Sequence, residues 1–313
     1  MLGWFRKLRS LGVVGLNSRN AGYVLPHNPR PLYPLVDDKI TTKRLTESAG
    51  LNVPELYGIF RSQHELKRLP ELLERHDSFV VKPARGAGGN GIMVITGKLG
   101  HSFRKPDDSL VSAESISFHI LNILSGMYSL GGMPDRAMVE YCVQFSPVFR
   151  DIAYQGVPDI RIIVYKGVPV MAMLRLPTRE SDGKANLHQG AMGCGIDMHT
   201  GMTTTAVWKN AGCDTHPDTL NPIGGVAIPD WRELLKQAAL GYTVTGLGYL
   251  GVDIVLDKTQ GPLILELNAR PGLAIQVANR AGLRHRLDSV DAVHQSLETE
   301  EQRIDYAMEA FAS

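Results

Sequence analysis

The stretch 251-GVDIVLDKTQGPLILELNARPG-272 decides how this chain folds and what it holds. Two apolar runs, Val252 to Leu256 and Leu263 to Leu267, flank the turn-rich DKTQGP, the pattern of an antiparallel hairpin. With Leu256 paired to Leu263, Asp253 stands opposite Glu266, and the two-residue alternation of a strand sets Asn268 on the same face as Glu266. Carboxylates that face each other across a ladder repel, so the pattern calls for a positive charge. Magnesium suits it, because this ion takes hard oxygen ligands, typically one or two carboxylates plus substrate phosphates and water. Asp253, Glu266 and Asn268 are therefore candidate metal ligands, with manganese as the alternative ion. The bland alternative is a solvated hairpin with polar residues on its open face.

Upstream, SFVVKP and GIMVIT read as strands joined by the glycine-rich ARGAGGN. Gly86, Gly88, Gly89 and Gly91 let the backbone approach an anion closely, and Lys82 adds a point charge just before them. The segment is not a P-loop, since the G-K-[ST] ending is absent, and a strand follows where a dinucleotide fingerprint needs a helix. A flexible hairpin tip is the competing reading. An anion-holding loop and a metal-holding face in one chain are jointly what a nucleoside triphosphate requires, which makes ATP the leading ligand. Glu140 and Tyr141, at the end of the strand AMVEYCV, suit polar contacts to an adenine edge, although a strand-end glutamate is commonly just solvated.

The remaining elements follow from periodicity and punctuation. Pro26, Pro29, Pro31 and Pro34 predict an extended connector, with regular structure beginning near Asp37. DDKITTKRLTESAG predicts a helix ending at Gly50, and LNVPELYGIF a loop and strand. A helix is expected from Ser62 towards Arg75, with Glu65 completing a capping box. SAESISFHILNILSGMYSL reads as a helix, and DIRIIVYKGVPVMAMLRL as two strands joined around Lys166 and Gly167. Pro229 and Asp230 introduce the helix WRELLKQAALGYTV, and LETEEQRIDYAMEAF closes the chain as an amphipathic helix. Mixed strands and helices without regular alternation favour an α+β fold. The expected divisions are a short segment and connector at 1–38, subdomains at 39–140 and 141–285, and a final helix at 286–313.

Composition narrows the function. The 313 residues can bury a sizeable core, and 33 basic against 32 acidic side chains leave a formal charge of +1. No global field then attracts nucleic acid. Cys142, Cys194 and Cys213 are odd in number and lack C-x-x-C spacing, which argues against a disulfide framework or structural zinc and makes a reducing cytoplasm the simplest compartment. No apolar run is long enough for a membrane span, and MLGWFRKLRSLGVVGL lacks the features of a secretory signal. Trp4, Phe5 and their basic neighbours suit contact with a membrane surface or partner; an ordinary docking segment is the other reading.

Taken together, FVVKPARGAGGNGI, VEYC, DIRIIV, ANLHQGA, GVDIV and ELNARPG resemble the ATP-grasp superfamily, and within it the glutamate ligases that extend proteins or cofactors with glutamate. The likeness runs from Asp37 to Gly272. It implies an ATP-grasp fold in which two α+β subdomains grip ATP, with Lys82 on the nucleotide, the loop from Arg85 to Gly91 closing over its phosphates, and Glu140 and Tyr141 at the adenine hinge. Lys39 or Lys43 matches the earlier family lysine that also reaches ATP. Asp253, Glu266 and Asn268 match the family's magnesium ligands. Arg161, Arg175 and Asn186 fall at positions similar to those facing the phosphates and the reacting carboxylate; for the two arginines a surface ion pair is the alternative. Such ligases usually carry a complete α/β domain before the first lysine, whereas thirty-eight residues precede Lys39. The amino-terminal region therefore reads as truncated, with Asn17, Arg19, Asn20 and Arg30 as polar residues that suit either connector surface, the favoured reading, or a substrate pocket.

The activity implied by the resemblance is that of an ATP-dependent carboxylate-amine ligase working through an acyl phosphate and adding glutamate or another amino acid. Its substrates would be a small molecule, peptide or protein bearing a carboxylate, and an amine. A kinase with the same ATP site and a non-catalytic nucleotide-binding regulator are the rivals. No Ser-His-Asp or Cys-His constellation suggests a protein nucleophile.

Overall fold

The hairpin forms, with Tyr249–Asp257 paired antiparallel to Gly261–Asn268. The computed structural model describes residues 2–86 and 88–312; Ala87 in the glycine-rich loop and the side chains of Trp4 and Phe5 lie outside the described residues. Asp253 is paired with Glu266, as expected, and Asn268 with Gly251. The Leu256–Leu263 pairing is not made: Leu256 faces Pro262 and Leu263 faces Val255, because the register shifts between Asp253 and Ile254. The turn supplies the reason. Asp257 Oδ1 accepts from the backbone N–H of Thr259 and of Gln260, closing the tip at Asp257 and Gly261. A bulge then absorbs the one-residue mismatch before the ladder reaches Asp253.

The chain divides into two compact units. One comprises Met1–Asp37, Arg44–Asn52 and Phe145–Ser313. Its seven-stranded sheet runs Ala211–Cys213, Thr203–Trp208, Met192–Ile196, Val168–Leu176, Asp159–Tyr165, Tyr249–Asp257, Gly261–Asn268, antiparallel throughout. The Lys166–Gly167 turn has both residues in the left-handed region, at φ 49° and 81°, which matches the twist of the strands it joins. The helix Trp231–Thr245 packs on the central strands, and Glu300–Ala310 packs on that helix and on Val168–Leu176. Every residue of Tyr249–Asp257 is buried, so Asp253 is a charge placed inside an apolar strand.

The other unit, Asp38–Lys43 with Val53–Gln144, holds a four-stranded antiparallel sheet ordered Leu56–Phe60, Ala137–Glu140, Phe79–Pro83, Met93–Ile95. The helix Ala113–Leu124 presents Ile116, Ile120 and Ile123, one stripe at helical spacing, to Phe79, Val81 and Val139. Ser112 caps it by accepting from Ser115 N–H. A small sheet of Gly97–Leu99, Ser102–Arg104 and Leu110–Val111 follows the glycine-rich loop.

Two local expectations are corrected. Residues 25–37 are not extended: Leu25–His27, Arg30–Leu32 and Pro34–Asp37 form short helical turns, with Pro26 and Pro31 in first turns, where a missing N–H costs nothing. The Ser62 capping box is also absent. Gln63–Arg68 is a 3₁₀ segment, Glu65 accepts from Arg61 N–H instead, and the α-helix Leu69–Arg75 starts afresh with Pro70 in its first turn. Among the described residues no helix is long and apolar enough to cross a membrane.

Candidate active site

In the smaller unit the charged residues converge on Glu140. Lys39 and Lys43 are one turn apart on the helix Lys39–Ser48, whose first turn is capped by Asp38 Oδ1 accepting from Ile40 and Thr41 N–H. Glu140 pairs across the sheet with Val80, which puts its side chain on the same face as Lys82 two residues on. Lys43 Nζ lies 2.6 Å from Glu140 Oε2, and Lys82 Nζ bonds the other carboxylate oxygen. Burial by itself would push the Glu140 carboxyl up, but Lys82 and Lys43 outweigh it and hold the group below the ordinary carboxylate range. The carboxylate of Glu140 is thus turned to two lysines. At Tyr141 the backbone N–H donates to Glu55 O at 2.8 Å.

The glycine-rich loop is tied down at its start. Arg85 N–H donates to Asp135 Oδ2 at 2.9 Å, Lys39 Nζ donates to Gly86 O at 2.8 Å, and Arg85 and Arg136 both reach Asp38 Oδ2. Beyond that anchor Gly88 and Gly89 adopt left-handed φ values of 65° and 78°, which side chains disfavour. At Gly91 a Cβ would stand 2.5 Å from the Tyr128 ring, so the backbone approaches that ring as only glycine can. His119 Nε2 sits 2.9 Å from Gly91 O, and burial lowers its pKa against the opposing pull of that bond, which favours the neutral ring donating Nε2–H. Asp38, Asp135, Arg136 and His119 fall in no sequence motif that points to this loop. Asp135 and Arg136 lie some fifty residues from the loop and carry no motif of their own.

In the larger unit a second polar cluster lies on the sheet. Asp253 is paired with Glu266 on one neighbouring strand and with Arg161 on the other, and Arg175 is paired with Asp159 one strand further. Arg161 grips Asp253 with both ends of its fork, Nε to Oδ1 at 2.6 Å and Nη2 to Oδ2 at 2.5 Å. Arg175 Nη2 bridges Asp159 Oδ2 at 2.6 Å and Asp253 Oδ2 at 2.8 Å. Asn268 Nδ2 approaches Asp253 Oδ2 at 3.4 Å. The sequence marks Asp159 only as part of a strand, yet it completes this network.

Burial would raise both buried acids, and their partners separate them. Asp253 receives two guanidinium groups and is held low against the burial penalty. Asp159 shares Arg175 with Asp253, so burial and the neighbouring negative charge push it up. Asn186 is outside this network: its side-chain oxygen accepts from His188 N–H and caps the turn Leu187–Gln189.

The donor set Asp253, Glu266 and Asn268 is two carboxylates and a carboxamide, hard oxygens of the kind magnesium takes together with phosphate and water. Among the described residues no group of three His, Cys, Asp or Glu side chains gathers as a metal site. A cation at Asp253 would exchange with guanidinium hydrogen bonds, so Arg161 and Arg175 govern how available that carboxylate is.

The family model described as sugar-transfer associated ATP-grasp matches residues 18–292. No curated protein matches the chain. Among solved structures, ATP-grasp ligase PsnB complexed with minimal precursor is 14% identical with a TM-score of 0.46, covering 86% of this chain and 63% of its own. D-alanine–D-alanine ligase from Bacillus anthracis complexed with ATP is 14% identical at 0.43, covering 89% and 66%. D-cycloserine synthetase DcsG is 16% identical at 0.46, covering 86% and 73%. The chain thus spans less than two thirds of the length of the first two.

Proposed function

The chain belongs to the sugar-transfer associated ATP-grasp family, and from that premise we propose that it is an ATP-dependent ligase joining a carboxylate to an amine through an acyl phosphate. The observation that carries the reading is the pairing of Asp253 with Glu266, beside Asn268, inside a sheet whose neighbouring strands bring Arg161 and Arg175 to the same carboxylate.

A carboxylate resists amines because its charge is delocalised and oxide is a hopeless leaving group. Transfer of the γ-phosphoryl group from ATP to a carboxylate oxygen releases ADP and turns that oxygen into part of phosphate. The amine then attacks the acyl carbon, the C–O bond breaks, inorganic phosphate leaves, and the nitrogen sheds a proton to give the amide. Magnesium, where bound, would offset charge on the phosphates. Asp253, Glu266 and Asn268 are the residues proposed to hold it.

Lys82, Lys43 and Lys39, with the loop from Arg85 to Gly91 and its glycines Gly86, Gly88, Gly89 and Gly91, are proposed to bind the nucleotide. The lysines serve as fixed charges, and the loop serves through its backbone N–H groups. Glu140 is assigned the task of aiming Lys43 and Lys82, and Tyr141 that of meeting the adenine edge. Arg161 and Arg175 are proposed to orient the acceptor carboxylate, with Asn186 fixing the loop that carries it. Chemistry of this kind rests on positioning, which is worth about 7 to 11 kcal/mol when charged reactants are held in the right geometry. Glutamate or another amino acid is the substrate that the motifs' likeness to glutamate ligases favours.

The test is a screen of the purified chain with magnesium and ATP against amino acids, peptides and small acids, following ADP release and new amide mass together. Turnover that requires one acid and one amine is the expected result. Phosphorylated product without amide would make the protein a kinase, and ATP binding with no turnover under any pairing would reduce it to a nucleotide-binding regulator.

A further inference from the structure

The first thirty-six residues carry a charge pattern that the reaction does not use. They contain Arg6, Lys7, Arg9, Arg19 and Arg30 and no aspartate or glutamate, whereas the rest of the chain holds more acidic than basic residues. Three of those five cations lie on one helix, Leu2–Ser10, and Arg6, Lys7 and Arg9 are all exposed. The same short region also displays leucines. Leu8 is 38% exposed, Leu11 55%, Leu16 62% and Leu25 61%. In sequence, Trp4, Phe5, Leu8 and Leu11 recur at helical spacing while the basic residues fall between them, the pattern of a helix that lies in a membrane interface.

The root of this helix is fixed to the larger unit. Arg284 N–H donates to Gly12 O at 2.9 Å, Gln276 Nε2 donates to Val14 O at 3.0 Å, and Val14 N–H donates to Gln276 Oε1 at 2.8 Å. Gly12 itself turns with φ 71°, and a Cβ on Gly282 would strike its carbonyl carbon at 2.1 Å. Buried hydrogen bonds and glycine-to-glycine packing thus pin residues 12–14, while leucines beside them stay in water.

We infer that residues 2–11 form a docking surface for an anionic phospholipid bilayer, with the leucines entering the headgroup boundary and Arg6, Lys7 and Arg9 pairing with lipid phosphates. Charge complementarity selects this occupant: a nucleic acid would match the cations but leave the leucines uncovered, and an apolar protein groove would leave the cations unanswered. The attachment is peripheral. It acts independently of the ligase reading, so failure of either leaves the other standing.

The test is co-sedimentation of the full chain with vesicles of phosphatidylcholine alone and of phosphatidylcholine mixed with phosphatidylglycerol. Binding to the mixed vesicles that weakens as salt rises is expected. The Arg6→Gln/Arg9→Gln variant should bind roughly twenty-five-fold more weakly, about fivefold per charge. Leu8→Asp/Leu11→Asp should lose binding. Because a variant could also disturb the helix, amide exchange is followed in the wild-type chain, where residues 2–11 should slow on addition of mixed vesicles and not of neutral ones. Absence of binding to the mixed vesicles would overturn the inference. So would full binding by the leucine variant, which would reduce the contact to diffuse charge, or self-association abolished by that variant without vesicle binding, which would assign the face to a second copy of the chain.

Discussion

Asp253 stands directly across from Arg161 on the neighbouring strand, and the two side chains are joined by a pair of hydrogen bonds of 2.6 and 2.5 Å. This geometry depends on the planar fork of arginine, which meets both carboxylate oxygens at once. Arg161→Lys keeps the charge and gives up one of the two bonds. ADP formation in the variant is expected to fall about ten- to a hundredfold, the loss of about 1.4 to 2.7 kcal/mol of positioning. Measurement of ADP release with saturating ATP checks it; a variant as active as wild type would remove Arg161 from the reaction.

Glu140 links the stability of the smaller unit to pH. Its folded value lies below its ordinary 4.5, so the folded protein takes up the proton less readily than the unfolded chain. The stabilisation is present in full above 4.5 and fades as pH falls through the depressed value. Glu140→Gln leaves Lys43 and Lys82 facing a neutral amide and should cost about 3 to 5 kcal/mol near neutral pH. Denaturant melts of both proteins from neutrality down to about pH 3 should show the gap narrowing with acid. A gap that stays constant would contradict the lysine clamp.

Gly91→Ala places a methyl group against the Tyr128 ring at a residue whose φ is 76°. Backbone strain and the clash together should lower stability by about 1 to 3 kcal/mol. A thermal melt reads the loss, and nucleotide affinity should fall with it because the loop's backbone is displaced. An unshifted melting temperature would mean that the loop adapts without strain.

Thr299→Ala serves as a contrast. Thr299 Oγ1 accepts from Gln302 N–H at 3.2 Å and Gln302 Oε1 accepts from Thr299 N–H at 2.9 Å, a complete capping box on the helix Glu300–Ala310. Its loss should cost about 1 kcal/mol in a melt and leave ADP formation unchanged.

The legible parts of the sequence were those where period and punctuation agree. Asp253 and Glu266 could be set opposite each other because the apolar runs on both sides of DKTQGP fix which residues share a face. The bulge that makes this register compatible with the Asp257 turn was not readable, since one extra residue leaves the alternation intact near the site and shifts it only at the tip. The prolines of residues 26–34 misled because proline marks both extended chain and the first turn of a helix, and tertiary contacts chose the second. Glu65 stood three residues after Ser62, yet Pro70 broke the helix the box would have begun. Partners such as Asp159 and Asp135 are isolated carboxylates in the sequence, and only the antiparallel register or a loop contact reveals what each one holds.

The central claim concerns the donor set on the hairpin, and ADP formation by Glu266→Gln and Asn268→Ala, each first shown to be folded, tests it most directly. With magnesium, ATP and the acid-amine pair that supports turnover, both variants are predicted to lose activity by about a hundredfold or more, in line with removal of a group that stabilises transferring phosphate. Wild-type turnover in either variant would contradict the account.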